Sequence, residues 1–87
     1  LLAPGVLEYI SLSDEVDITE IQLTKRVHGK TVAGLDIRKQ FGLNVIAVKQ
    51  NGALSTAITP NLILDETMTI TVIGEKNDIL RFESYLS

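Results

Sequence analysis

The sequence contains no cysteine and no tryptophan, and it has a single histidine. Without cysteine there can be no disulfide, no thiolate nucleophile and no cysteine-ligated zinc site. The lone His28 leaves a histidine-based metal site or catalytic dyad without its second member. No nucleophile lies beside a base, and no paired acids stand at a spacing suited to catalysis. The sequence therefore predicts neither an enzyme nor a metal site built on histidine or cysteine.

Long hydrophobic runs are also missing. No stretch approaches the roughly 20 consecutive apolar residues that a membrane-spanning helix requires. The chain opens at Leu1 without a starting Met, and neither a basic leader nor a long apolar segment follows. We expect a piece of a longer protein, with the cytoplasm as its compartment.

The chain is short and poor in aromatic residues. At 87 residues it forms one small domain, near the size at which a single core is only marginally sufficient. Leu, Ile and Val must fill that core, because the aromatic side chains are only Tyr9, Phe41, Phe82 and Tyr85. Association with a partner would bury further apolar surface and stabilise such a domain.

Positive charge is absent from the first 24 residues and concentrated in the middle of the chain. Residues 25–49 contain a single acid, Asp36, and six of the eight Lys and Arg residues, which are Lys25, Arg26, Lys30, Arg38, Lys39 and Lys49. The net charge of -3 thus hides a cationic segment that points to an anion site. Binding of a nucleic acid polymer is not predicted, because aromatic residues are not interleaved with the basic ones.

The apolar pattern predicts an α+β domain in which helices pack on one side of a mostly antiparallel sheet. The predicted order is helix, strand, helix, strand, strand, strand, helix. The predicted elements are a helix over residues 6–12, a strand around residues 20–24, a helix over 31–41, strands over 45–48, 54–58 and 68–73, and a helix over 77–86. The acidic stretch 14–20 is the predicted hinge.

Local residue types define several of these boundaries. Thr31 is a helix cap, and Gly42 is a natural helix stop. The Asn51, Gly52 pair is the strongest short-range hairpin signal in the chain. Asn77 is the predicted cap of the last helix, and Gly74 is predicted to end the strand before it.

The order and spacing of these pieces resemble the C-terminal lobe of the RCK proteins, also called the TrkA-C domain. The resemblance covers almost the whole chain, and within the family it is similar to the Ktr gating subunits of Gram-positive bacteria. The residues that carry it are Gly29, Lys30 and Thr31 opening a helix, Leu35 inside it, Phe41, Gly42 and Leu43 closing it, Val45 starting a strand, Asn51 and Gly52, then Thr59, Pro60 and Asn61, and Gly74 ending a strand.

The resemblance implies a regulatory domain of potassium channels and potassium uptake systems. Residues 13–87 would be the ligand-binding lobe, and residues 1–12 a connecting helix from an N-terminal Rossmann lobe, whose G-x-G-x-x-G motif this chain lacks. The lobe would form a homodimer that binds cyclic di-AMP across its two-fold interface and lowers potassium uptake. It would act through a gating ring on the membrane potassium-translocating subunit, at the inner face of the cell membrane.

By the same resemblance, six residues match ligand contacts: Asp36, Ile37, Arg38, Asn44, Val45 and Pro60. Asp36, Ile37 and Arg38 match the helix segment that contacts the ligand, Asn44 and Val45 the strand start that meets the adenine, and Pro60 the wall of the base site. The residue chemistry is compatible with this, because a guanidinium forks onto phosphate oxygens and an amide both donates and accepts at an adenine edge.

Other interpretations stay open at this point. Arg38 can belong to a solvated helix face, Ile37 to the core, and Asn44 and Pro60 to ordinary turns. The domain can be a structural dimerisation lobe without a ligand. It can also sense a divalent cation through the acidic residues of the stretch 14–20, which are Asp14, Glu15, Asp17 and Glu20. The run Gly29, Lys30, Thr31 mimics the end of a P-loop, but Thr24 stands where that motif needs glycine.

Overall fold

Antiparallel pairing organises the molecule. The computed structural model describes the backbone of residues 6–87 and the side chains of residues 10–87. The elements are β1 (Val6–Ser11), β2 (Val16–Gln22), a 3-10 turn (Lys25–Val27), α1 (Val32–Leu35), α2 (Ile37–Phe41), β3 (Asn44–Gln50), β4 (Ala53–Ser55), β5 (Thr69–Glu75) and α3 (Lys76–Leu86). Across residues 6–87 the five strands lie in the order β1-β2-β5-β3-β4, and each neighbouring pair is antiparallel.

The core lies on one face of this sheet. Ile21 of β2 stands opposite Ile70 of β5, and both are fully buried. Side chains from all three helices join the same apolar cluster, including Leu35, Ile37 and Phe82. The predicted α+β fold, with helices on one side of a mostly antiparallel sheet, is therefore confirmed. No helix in residues 6–87 is both long and apolar enough to cross a membrane.

The opposite face of the sheet carries a row of isoleucines. Ile10 of β1 pairs with Ile18 of β2, which pairs with Ile73 of β5. Ile10 is 59% exposed, and the other two are half-buried. The next residue along the row is Asn44 at the start of β3. We name Ile10, Ile18 and Ile73 the isoleucine row.

The predicted N-terminal helix over residues 6–12 is wrong, because Val6–Ser11 is strand β1. The apolar positions 6, 7, 9, 10 and 12 fit a helix, but short apolar runs do not distinguish helix from strand. A tight turn decides the outcome: the backbone N–H of Leu12 donates to the carbonyl of Val16 (2.9 Å), and the Ser13 hydroxyl accepts from Val16 N (3.0 Å). The turn returns the chain as β2, which pairs with β1 along its length.

The predicted hinge at residues 14–20 is also wrong, since most of it belongs to β2. Asp17 is buried, at 4% exposed, and its carboxylate pairs with the Lys76 ammonium of α3 at 2.6 Å. In the described residues, no group of three or more His, Cys, Asp or Glu side chains converges as a metal site. The described residues therefore provide no converging acidic cluster in support of the cation-sensing hypothesis.

The central hairpin is confirmed. Asn51 (φ 54°) and Gly52 (φ 78°) both adopt positive φ, as the tight two-residue turn between β3 and β4 requires. The return strand is shorter than predicted, at Ala53–Ser55. The predicted end of the last strand at Gly74 and the predicted cap at Asn77 are each wrong, because β5 continues to Glu75, which caps α3.

Candidate functional site

A cavity of about 460 Å³ lies between the two short helices, the start of β3 and the loop around Pro60. All six residues that the resemblance indicated line this one cavity: Asp36, Ile37, Arg38, Asn44, Val45 and Pro60. They come from three separate segments of the chain. The fold therefore brings the predicted set together, and its role in binding stays a prediction.

A break in the predicted helix over 31–41 shapes one wall. Thr31 caps α1 as expected, its hydroxyl accepting from Gly34 N at 2.9 Å. Asp36 then adopts a left-handed conformation (φ 51°, ψ 53°) and separates α1 from α2. Aspartate tolerates this conformation better than most residues do. The prediction of one continuous helix is thus wrong, because α1 ends at Leu35 and α2 begins at Ile37.

This break places neighbouring side chains in different environments. Ile37 is 3% exposed and joins the core while also lining the cavity. Arg38 is exposed. Gly42 (φ 71°) ends α2 as predicted, and its N–H donates to the Arg38 carbonyl at 2.9 Å. The core interpretation of Ile37 and the cavity interpretation are therefore compatible.

The Pro60 wall is attached to α1 by backbone hydrogen bonds. Ala33 N donates to the Pro60 carbonyl, and Val32 N to the Leu62 carbonyl, each at 3.0 Å. Farther along, Leu64 and Lys30 extend the pairing, with Leu64 N donating to Lys30 O at 2.8 Å. The cavity wall that Pro60 provides is therefore fixed to the helix wall opposite it.

The electrostatics of the cavity depend on two side chains. Among its described lining residues, only Asp36 and Arg38 carry charge. Within residues 10–87 the Arg38 guanidinium has no hydrogen-bond or ion-pair partner. Asn44 is exposed at the first position of β3, and Val45 beside it is half-buried. An unpaired guanidinium next to apolar walls can bind an anion that also carries an apolar group.

Sequence reasoning missed part of the lining. The additional residues are Val32, Ala33, Leu43, Ile58 and Thr59. None is charged, and only Thr59 has a polar side chain, so residue type gave no indication of them. The one available signal was adjacency, because Leu43 precedes Asn44 and Thr59 precedes Pro60.

The single histidine, His28, lies just before Lys30, at the far end of the backbone pairing that attaches the Pro60 wall to α1. His28 Nδ1 and Glu66 Oε1 are 2.6 Å apart, and they join the 3-10 turn to the segment before β5. The hydrogen bond with Glu66, and then its charge, raises the pKa of His28 above the ordinary 6.5. The same hydrogen bond lowers the pKa of Glu66 below 4.5. His28 and Glu66 thus form a side-chain contact that is an ion pair when the imidazole is protonated.

This ion pair predicts a pH-dependent stability. The His28 contribution is fully present below its unfolded pKa and is lost as pH rises through the raised folded value, whereas the Glu66 contribution is lost on acidification. We expect His28→Gln to lower the melting temperature slightly at about pH 5.5 and to have almost no effect at about pH 9. Thermal unfolding at both pH values measures this, and an equal effect at the two would contradict it.

Known proteins are similar to this chain over most of its length. The TrkA-C domain model matches residues 18–87. From Bacillus subtilis (strain 168), Ktr system potassium uptake protein A is 35% identical over 80 residues, and protein C is 32% identical over 83 residues. These matches cover 92% and 95% of this chain but 36% and 38% of the relatives, so the chain spans little more than a third of their length.

A solved structure is also similar. It is the RCK C domain of the potassium transport protein KtrA in complex with cyclic diadenosine monophosphate (cyclic di-AMP), which is 37% identical to this chain. The TM-score is 0.77, and the match covers 84% of this chain and 86% of that one. The family match spans nearly everything from β2 to α3, which confirms the resemblance inferred from the sequence. The chain belongs to the TrkA-C domain family.

Proposed function

We propose that this domain is the regulatory lobe of a Ktr-type potassium uptake system and that two copies of it bind one cyclic di-AMP. One observation carries the proposal: residues from three chain segments line a single cavity whose arginine, Arg38, has no partner among the side chains of residues 10–87. The 37% identical KtrA domain was solved with this nucleotide. The volume of about 460 Å³ also falls within the usual range of small-molecule sites.

The chemistry of the cavity suits half of this ligand. Cyclic di-AMP is a two-fold-symmetric dianion with two phosphates and two adenines. One chain offers one cavity cation, Arg38, and one set of apolar walls, from Val45, Ile58 and Pro60. The Asn44 amide can donate to and accept from an adenine edge, and the Asp36 carboxylate can accept from an adenine amino group. An isologous dimer supplies each of these groups twice, which matches the symmetry of the ligand.

In this proposal the nucleotide regulates by changing how two lobes are arranged. A ligand shifts an equilibrium between two arrangements only if it binds one of them more tightly. A cavity shared between two chains meets this condition, because its two halves must face each other to hold both phosphates. The preferred arrangement would lower potassium uptake through a ring attached to the membrane subunit, with this lobe on the cytoplasmic side.

Calorimetric titration with cyclic di-AMP tests the proposal. We expect micromolar or tighter binding at one nucleotide per two chains, and much weaker binding of AMP, which lacks the two-fold symmetry. Light scattering at several protein concentrations establishes that the titrated protein is a dimer. A dimer that releases no heat with the nucleotide and shows no change in melting temperature contradicts the ligand assignment.

A second candidate function is a dimerisation lobe without a ligand, and the isoleucine row favours it. Exposed Ile10 and half-buried Ile18 and Ile73 form an apolar strip on a face that the helices do not cover. Covering this strip would bury apolar surface that a domain of 87 residues leaves in water. Dimerisation that persists without nucleotide binding is the result that would select this function.

A further inference from the structure

A short turn joins two segments that line the cavity, namely helix α2 and the start of strand β3. Residues Ile37 and Arg38 lie on α2, and Asn44 and Val45 begin β3. The intervening residues 40–43 contain the end of α2, Gly42 and the buried Leu43. The position of this turn therefore sets where the lining residues of α2 lie relative to the lining residues of β3.

Helix α3 contacts this turn through the rings of Phe82 and Tyr85, which pack on Phe41, and through the guanidinium of Arg81. The Arg81 guanidinium donates to the carbonyls of Gln40 (3.5 Å) and Phe41 (3.4 Å). It also lies 5.8 Å from the centroid of the Phe41 ring. The last carbonyls of a helix have no partner within the helix, and a cation there is favourable. Arg81 thus caps the end of α2 from a neighbouring helix.

Asp78 completes the contact from the preceding turn of α3. Its carboxylate pairs with Arg81 at 2.8 Å, which holds the guanidinium in place. Its other oxygen lies 2.9 Å from the point that a Cβ on Gly42 would occupy. Asp78 and Arg81 therefore contact both the end of α2 and the residue that stops it, although neither lines the cavity.

We propose that Arg81 is a positioning residue that couples α3 to the cavity by fixing the 40–43 turn. The inference rests on the proposed function insofar as it concerns the nucleotide. Movement of α3 would shift Arg38 relative to Asn44, and a nucleotide that bridges both would in turn resist movement of α3. Occupation of the cavity would thus restrict the movement of α3 and so affect any partner that α3 contacts.

Hydrogen exchange in the nucleotide-free protein tests the local part. The Gln40 and Gly42 amides donate to the Asp36 and Arg38 carbonyls, at 2.8 and 2.9 Å. We expect Arg81→Met to speed exchange of both amides several-fold, and Arg81→Lys to restore part of the protection because it keeps the charge. The Leu35 amide, which donates to the carbonyl of the cap residue Thr31, should exchange as in the wild type. Unchanged exchange at Gln40 and Gly42 would overturn the proposal.

Nucleotide affinity tests the coupling. We expect Arg81→Met to weaken cyclic di-AMP binding about three- to ten-fold, with partial recovery in Arg81→Lys. The matched control is Lys76→Met, which removes the pairing of α3 with Asp17, a residue of β2 outside the turn. Equal weakening by the two variants would show a general effect of α3 stability and overturn the coupling. If the wild type binds no nucleotide, the proposed function fails, while the exchange result still decides whether Arg81 fixes the turn.

Discussion

Replacing Gly74 with alanine should lower the free energy of unfolding by about 1–3 kcal/mol, the usual cost of overpacking a core. A Cβ at Gly74 would overlap the Cδ2 methyl of Leu43 and lie 3.5 Å from the Gly42 carbonyl. Leu43 is fully buried, so displacing its methyl would disturb the close packing of the core around it. Elsewhere in a strand the same substitution would be neutral or slightly stabilising, because alanine loses less entropy on folding. Urea denaturation measures the difference.

The cause can be isolated in a second background. In a Leu43→Ala protein the obstructing methyl is gone, so adding Gly74→Ala should cost little or even recover stability by filling the space. Neighbouring sites that share a contact are expected to be non-additive in this way. The same loss in both backgrounds would show that Leu43 is not the obstruction.

Arg38→Ala should weaken cyclic di-AMP binding at least ten-fold, with little change in stability. A charge-assisted hydrogen bond contributes roughly 1.5–3 kcal/mol, and about 1.4 kcal/mol corresponds to a factor of ten in affinity. The dimer loses one guanidinium from each chain, so both phosphates are affected. Stability should hardly change because the side chain is exposed and, within the described residues, unpaired. Calorimetric titration and a thermal melt measure the two effects.

Lys39→Ala is the matched control for this prediction. Lys39 is also exposed on α2 but does not line the cavity. We expect its loss to change affinity by less than about three-fold at physiological ionic strength, since a charge outside the site acts only through screened solvent. Arg38→Lys should bind more weakly than the wild type, because an ammonium cannot form the two parallel hydrogen bonds of a guanidinium. If Lys39→Ala and Arg38→Ala weaken binding equally, the attraction is general and not specific to Arg38.

The short-range preferences of individual residues correctly predicted one turn and two helix ends. The Asn51, Gly52 turn, the Thr31 cap and the Gly42 stop all follow from the conformational preferences of a few residues. Strand β1 could not be identified in this way, because the apolar spacing of residues 6–12 is consistent with a helix. Its strand conformation comes from pairing with β2, and that pairing depends on residues farther along the chain.

The candidate site likewise contains some residues that were predicted from the sequence and others that were not. The resemblance selected Asp36, Arg38 and Asn44, whereas the charge pattern alone indicated only an anion site within residues 25–49. Ala33 and Ile58 line the same cavity, but small and aliphatic residues occur throughout any core. Their contribution depends on how the Pro60 loop pairs with α1, a tertiary contact that no local pattern specifies.

The central place of β5 in the sheet has a consequence for how the protein is made. The β1–β2 and β3–β4 hairpins are each local in sequence, yet they meet only through β5, which is the last strand along the chain. While the ribosome is still adding residues 69–75, both hairpins are without their common neighbour, and such unpaired edges are prone to aggregation. Completion of the sheet must therefore wait until β5 has been synthesised, because no earlier strand can join the two hairpins.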